Sequence, residues 1–135
     1  FEHLICTEQL SRRLGFKVGE ELIRVVRVRS LNGSARQVDH GYFLASIAKG
    51  LTPEIAADSI YGYLEHKRGI KVMASRRTVS VELANDEDCS YLDLGKYNCV
   101  AVMESQSYTS DGILFEVTHA RTHPEIFHYR VNSKR

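Results

Sequence analysis

Apolar and polar positions alternate through the middle and the end of the chain. From residue 22 onward, Ile23, Val25, Arg27 and Arg29 share one side of a period-two pattern, and Leu22, Val26 and Val28 share the other. This predicts a strand with both faces at least half buried. Asn32-Gly33, within Leu31-Asn32-Gly33-Ser34, is a strong hairpin signal, and the chain returns as a strand from Arg36 to Phe43. Residues 78–83 alternate cleanly, and residues 100–108, 113–122 and 127–131 predict three more strands, the first two of them joined at Ser110-Asp111-Gly112.

Helical spacing is confined to shorter stretches. Residues 1–16 set Leu4, Ile5, Leu10 and Leu14 at loose helical intervals before Gly15. Thr52-Pro53-Glu54 supplies an N-cap, a first-turn proline and a first-turn acid. Asp58-Ser59 then opens a second helix that ends in His66-Lys67-Arg68 and stops at Gly69. Asn85 and Asp88 open a further helix that Gly95 closes. Hairpin, helices, strand, helix, hairpin and last strand, joined by short links, predict an α+β fold with antiparallel pairing. Two registers of the first hairpin are open. A two-residue loop pairs Asp39 with Val26, away from the arginines; a three-residue loop with Gly33 in a bulge pairs it with Val25, on the arginine face.

The 135 residues make one domain with a core of its own. Eighteen basic and 17 acidic residues nearly cancel, so no global field holds nucleic acid, and any DNA contact is made elsewhere. Cys6, Cys89 and Cys99 are odd in number and lack metal-ligand spacing, which fits free thiols in a reducing compartment, the cytoplasm. The longest apolar run, residues 99–103, is too short to cross a bilayer, and no secretory leader opens the chain, so no membrane association is expected. Starting on Phe1, the chain is expected to be part of a longer protein.

Two arginines on a buried face need anionic partners, because an unpaired desolvated charge costs several kcal/mol. Arg27 and Arg29 have Cβ atoms roughly 7 Å apart on such a strand, close enough for both guanidinium forks to grip one phosphate or carboxylate. The alternative is an internal ion pair with Asp39 or Glu116. Ser59, at a helix start, joins a hydroxyl to free N–H donors and forms a small anion site; alternatively it simply caps its helix. Glu116 and Thr118 alternate with Phe115 and Val117, ordinarily the pattern of a solvated face. His119, His123 and Glu125 have a spacing that would bind metal on a helix but not on a strand and turn, so no metal site is expected. Asp86, Glu87 and Asp88 suit a helix dipole. Without a nucleophile elbow, a phosphate loop or a dinucleotide fingerprint, neither cofactor nor catalytic residue is expected.

Four motifs occur in a set order: Arg27-Val28-Arg29 before Gly33, Asp39-His40-Gly41-Tyr42-Phe43, Asp58-Ser59-Ile60-Tyr61, and Asp111-Gly112-Ile113-Leu114-Phe115-Glu116. This order resembles the UTRA effector-binding domain of GntR-family bacterial transcription regulators, HutC branch, from about Leu14 to the C-terminus. Residues 52–63, Leu92-Asp93-Leu94 and residues 115–118 look most like the trehalose operon repressors, whose effector is a sugar phosphate. The resemblance implies a chorismate-lyase-like fold, an antiparallel sheet flanked by helices with the effector between them. It also implies a homodimer, and an N-terminal winged helix-turn-helix domain outside this chain through which alone DNA is bound.

Carried over position by position, Arg27 and Arg29 match the arginines that grip the effector's anion, and Ser59 and Tyr61 match the Ser-x-Tyr at the pocket's helix start. Glu116 matches a pocket acid suited to sugar hydroxyls. Asp39 stands where relatives have glutamate, and Thr122 where some sugar-phosphate binders have tyrosine. The expected function is therefore sensing of a small anionic metabolite, a sugar phosphate such as trehalose 6-phosphate. The alternatives are an enzyme of chorismate-lyase-like fold acting on a small anionic acid and an oligomerisation module with a vestigial pocket.

Overall fold

A computed structural model of the chain describes residues 1–134. Its elements are β1 (Glu2–Ile5), α1 (Glu8–Leu14), β2 (Glu21–Leu31), β3 (Ser34–Leu44), α2 (Pro53–Asp58), α3 (Ile60–His66), β4 (Val72–Leu83), α4 (Asp86–Tyr91), β5 (Cys99–Thr109) and β6 (Leu114–Thr122). The six strands form one sheet in the order β1-β2-β3-β6-β5-β4, and every neighbouring pair is antiparallel. The α+β architecture expected from the sequence is the one observed.

The β2-β3 turn forms at Asn32-Gly33, where both residues take positive φ, 52° and 80°, as a two-residue hairpin turn of type I′ requires. Neither expected register results. The ladder opens with Leu31 opposite Ser34 and Ser30 opposite Ala35, then shifts, so that Arg29 faces Gln37 and Arg27 faces Asp39. Arg36 is the extra residue of this bulge, and it moves Asp39 onto the arginine face despite the two-residue loop.

Three element predictions need correction. Residues 1–16 are not one helix: residues 2–5 pair along β2 as an edge strand, and Thr7 caps α1 by accepting from the Leu10 N–H at 3.2 Å. Residues 127–131 form no strand and pair with none of the six. The helix opened by the Asn85 and Asp88 capping box ends at Tyr91, before Gly95.

Alternation along paired strands sorts the side chains onto two faces. One face carries Ile23, Val25, Phe43 and Glu116; Ile23, Val25 and Phe43 belong to the same buried cluster as Ile60 and Leu64 of α3. The opposite face carries Val38, Val100 and Val102, which form a second cluster with Leu92 and Leu94 after α4. On that second face Arg121 donates from Nε and Nη2 to the two carboxylate oxygens of Asp88, at 2.7 and 2.9 Å, and from Nη1 to Glu82 at 3.0 Å. His40 and His119, neighbours across β3 and β6 there, are both held below the ordinary histidine pKa by burial. The sheet thus keeps one charge cluster under α4 and leaves the α3 side for the cleft described next.

Candidate functional site

On the α3 side of the sheet lies a cleft of about 290 Å³. Its floor is built by alternation on five strands: Arg27 on β2, Asp39 and Phe43 on β3, Glu116, Thr118 and Ala120 on β6, Met103 and Ser105 on β5, and Ser75 and Arg77 on β4. Ile60 and Tyr61, in the first turn of α3, form the roof. Thr52 and Ser59 cap α2 and α3 in turn, accepting from the Ile55 and Gly62 N–H groups, and these caps fix where Tyr61 hangs over the sheet.

Glu116 is the chemical centre of the cleft. It is only 2% exposed, and its Oε1 accepts from the Tyr61 hydroxyl at 2.6 Å and from the Ser107 hydroxyl at 3.3 Å. Burial raises its pKa above the ordinary carboxylate value, against the opposing pull of Tyr61, Ser107 and the Arg27 charge. Burial and the same Glu116 bond push the Tyr61 phenol up to about 12, so it remains a donor at any physiological pH. Oε2 of Glu116 takes no hydrogen bond within the described residues, leaving one acceptor for a hydroxyl or N–H of a guest.

The structure brings Arg27, Asp39, Tyr61 and Glu116 into one cleft and leaves Arg29, Ser59 and Thr122 off its lining. The internal ion pair weighed in the sequence forms for Arg29, whose Nε donates to Asp39 at 2.9 Å while its side chain remains 60% exposed. Asp39 also accepts from Gln37 at 2.7 Å. Arg27 makes no ion pair among the described residues; the paired arginines are Arg24, Arg29, Arg36 and Arg121. Ser59 opens onto a separate groove between α2 and α3, with its hydroxyl spent on its own helix. Thr122 is buried beside the cleft, opposite Gln37 and Ala101. No group of three or more metal-ligating side chains gathers among the described residues.

Sequence reasoning missed Arg77. The alternation expected over residues 78–83 starts one residue too late to include it. Extended by one position it puts Arg77 on the side of Val79 and Val81, an arginine on an apolar-patterned face, which is the signal that singled out Arg27.

This arrangement matches a known one. The family model described as the UTRA domain matches residues 1–128. The chain belongs to the UTRA domain family. The HTH-type transcriptional regulator TreR of Bacillus subtilis (strain 168) is 28% identical over 123 residues, 91% of this chain and 52% of that protein. The transcriptional repressor NagR of the same organism is 23% identical over 122 residues, 90% of this chain and 49% of that protein. The chain thus spans about half the length of these relatives. Among solved structures, the effector binding domain of the B. subtilis trehalose repressor TreR superposes with a TM-score of 0.93 at 27% identity, covering all of this chain and 94% of that one. A GntR-family regulator from Bacillus cereus, at 24% identity, shares the fold with a TM-score of 0.89, over 99% of this chain and 94% of that one. This UTRA domain is therefore built as the effector domains of GntR-family transcription regulators are, with six antiparallel strands and four helices.

Glu116→Gln tests what the buried acid of this UTRA domain contributes to folding and whether the cleft uses it to bind. Because the folded pKa is raised, the folded state holds more protons than the unfolded one as pH rises through the carboxylate range, so the residue's contribution to stability falls with rising pH. Glutamine keeps an oxygen for Tyr61 and Ser107 without the charge. Denaturant unfolding at neutral pH is expected to show equal or higher stability for the variant, while affinity for a hydroxyl-bearing anion falls about tenfold with the loss of a charged acceptor. A variant less stable at neutral pH than the native protein would contradict the assignment.

Proposed function

We propose that this chain is the effector-binding part of a bacterial transcription regulator, and that its effector is a sugar phosphate held in the cleft under α3. The observation that carries this reading is the meeting of an uncommitted cation, Arg27, with a buried, half-satisfied carboxylate, Glu116, and a phenol donor, Tyr61. A guanidinium suits a phosphate, and a carboxylate with a free oxygen suits sugar hydroxyls. Trehalose 6-phosphate is the effector favoured by the likeness to TreR. Binding needs no bond to break: it biases two arrangements of the full-length protein, with a coupling of about 1–3 kcal/mol. DNA is bound by a winged helix-turn-helix domain N-terminal to this single domain, in the cytoplasm. Incubation with chorismate should yield no product. Calorimetry against trehalose 6-phosphate, glucose 6-phosphate and unphosphorylated trehalose tests the reading: saturable binding of a phosphorylated sugar supports it, and equal heats from the unphosphorylated sugar overturn it.

The regulator works as a homodimer on this reading, and the face proposed for it is β4. This sheet-edge strand has unpaired backbone groups and exposes Val79, Val81 and Leu83, the last two by 73% and 75%. A long apolar edge invites a second strand, and a charge there blunts it. Val81→Lys is expected to shift the domain from dimer to monomer in sedimentation velocity. A native domain already monomeric at calorimetric concentration would rule out this interface.

A further inference from the structure

Arg77 is the second cation of the cleft that no partner among the described residues neutralises. It lines the wall opposite Arg27, beside Ser75 and Ser105, and it enters no ion pair among the described residues. In the sheet order, β2 and β4 are separated by β3, β6 and β5, so four strand spacings, roughly 19 Å, lie between the two backbones. Both side chains bear on the same centre. The Arg27 charge acts on Glu116 and the Arg77 charge acts on Tyr61, the two groups joined by the 2.6 Å hydrogen bond. The cleft is therefore a trough with a cation on each wall and the Tyr61 and Glu116 pair between them.

The two walls differ in what accompanies the cation. On the β2 and β3 side, Asp39 is already occupied by Arg29 and Gln37. On the β4 and β5 side, Ser75 and Ser105 flank Arg77 with hydroxyls, and neither serine side chain makes a hydrogen bond among the described residues. A guanidinium has five donors in a fixed fork, and hydroxyls both give and accept. With the phosphate assigned to Arg27 on the reading above, that set of donors and acceptors is left to the hydroxyls of the rest of the effector.

We propose that Arg77, with Ser105, is a specificity-determining wall that reads the sugar residue remote from the phosphate, so that the cleft tells a two-ring phosphate from a single-ring one at this wall. This inference rests on the sugar-phosphate reading above and deepens it. The phosphate lies toward Arg27, the first ring over Glu116 and Tyr61, and the second ring against Arg77. A single-ring phosphate leaves Arg77 in water, where its removal matters little. A two-ring phosphate loses one charge-assisted set of hydrogen bonds.

The test is calorimetry at one ionic strength with trehalose 6-phosphate and glucose 6-phosphate against the native domain, Arg77→Ala, Arg77→Lys and Ser105→Ala. Arg77→Ala is expected to weaken the two-ring ligand about tenfold or more and the single-ring ligand by under about threefold. Arg77→Lys, which keeps the charge but not the fork, should recover only part of that preference. Ser105→Ala should erode it in the same direction. Equal losses for the two ligands would show Arg77 acting through its field alone and overturn the inference, as would no loss for either. Failure of the native domain to bind any phosphorylated sugar would overturn the sugar-phosphate reading itself, a result distinct from binding with an unaltered preference. Arg77 is an exposed residue of an edge strand, so its variants fold, and thermal unfolding verifies it.

Discussion

Arg27→Ala is expected to lower affinity for the proposed anionic effector by about a hundredfold or more while leaving the free domain's stability nearly unchanged. The first half follows from desolvation. A phosphate drawn into the cleft gives up water, and removing the partner of a buried, hydrogen-bonded charge costs about 2–5 kcal/mol, at 1.4 kcal/mol per tenfold in affinity. The second half follows from what Arg27 lacks. With no ion pair of its own in the described residues, its truncation orphans no carboxylate, and surface-type changes of that kind stay within about 0.5 kcal/mol. Arg29→Ala is the contrast. Arg29 is already committed to Asp39 at 2.9 Å and is largely exposed, so a ligand must compete for it and its loss should cost clearly less than that of Arg27. Calorimetry with each variant checks both statements; equal losses would mean that Arg29 leaves Asp39 to join the anion.

Asp88→Asn, at the opposite face of the sheet, is expected to destabilise the domain by about 3 kcal/mol, lowering the thermal midpoint by about 10 °C. Asp88 is 1% exposed and holds both forks of Arg121 while closing the α4 capping box with Asn85 at 3.0 and 2.7 Å. Asparagine leaves a buried guanidinium with only the half-exposed Glu82 as its counter-charge. Burial by itself would raise the Asp88 pKa, but the hydrogen bonds from Arg121 and the Asn85 N–H outweigh it and hold the group below its ordinary value. The pair's contribution is therefore present in full above the unfolded carboxylate pKa and is lost as pH falls through the folded one. Denaturant unfolding should show the gap between native and variant closing below about pH 4. Exchanging both partners, Asp88→Asn with Arg121→Met, should lose less than the sum of the single changes, because no lone charge remains. Effector affinity of the folded variant should hold, since Arg121 points away from the cleft. A loss of affinity in folded Asp88→Asn would tie the two faces together.

Local chemistry was legible in the sequence wherever a few neighbouring residues decide the outcome. Asn32-Gly33, Thr52-Pro53, Ser59 and the Asn85 with Asp88 box each form the turn or cap their side chains specify. What depended on distant partners was not legible. The bulge at Arg36 stems from how β2 and β3 settle along their length, so the position of Asp39 could not be read from the turn alone. Residues 2–5 are a strand because the β2 edge is there to receive them, and residues 127–131 are not, although they alternate.

The candidate site followed the same division. The alternation that flagged Arg27 puts it on the face of Ile23 and Val25, and only the fold shows that this face lies under α3. Glu116 looked like a member of a solvated face, because nothing local reveals that Tyr61 will cover it. For Ser59 the helix start leaves two readings open, an anion seat and a simple cap. In the fold its hydroxyl completes the α3 cap, and Tyr61, two residues on, is the group that meets the cleft.

The cleft beneath α3 as the seat of a negatively charged sugar is tested most directly by a crystal structure of the domain grown with trehalose 6-phosphate. The expected density places the phosphate within hydrogen-bond distance of the Arg27 guanidinium and a sugar hydroxyl on the free oxygen of Glu116. Density for the ligand in the polar cavity between His40, His119 and Arg24 on the far side of the sheet, with Arg27 left in solvent, would contradict it.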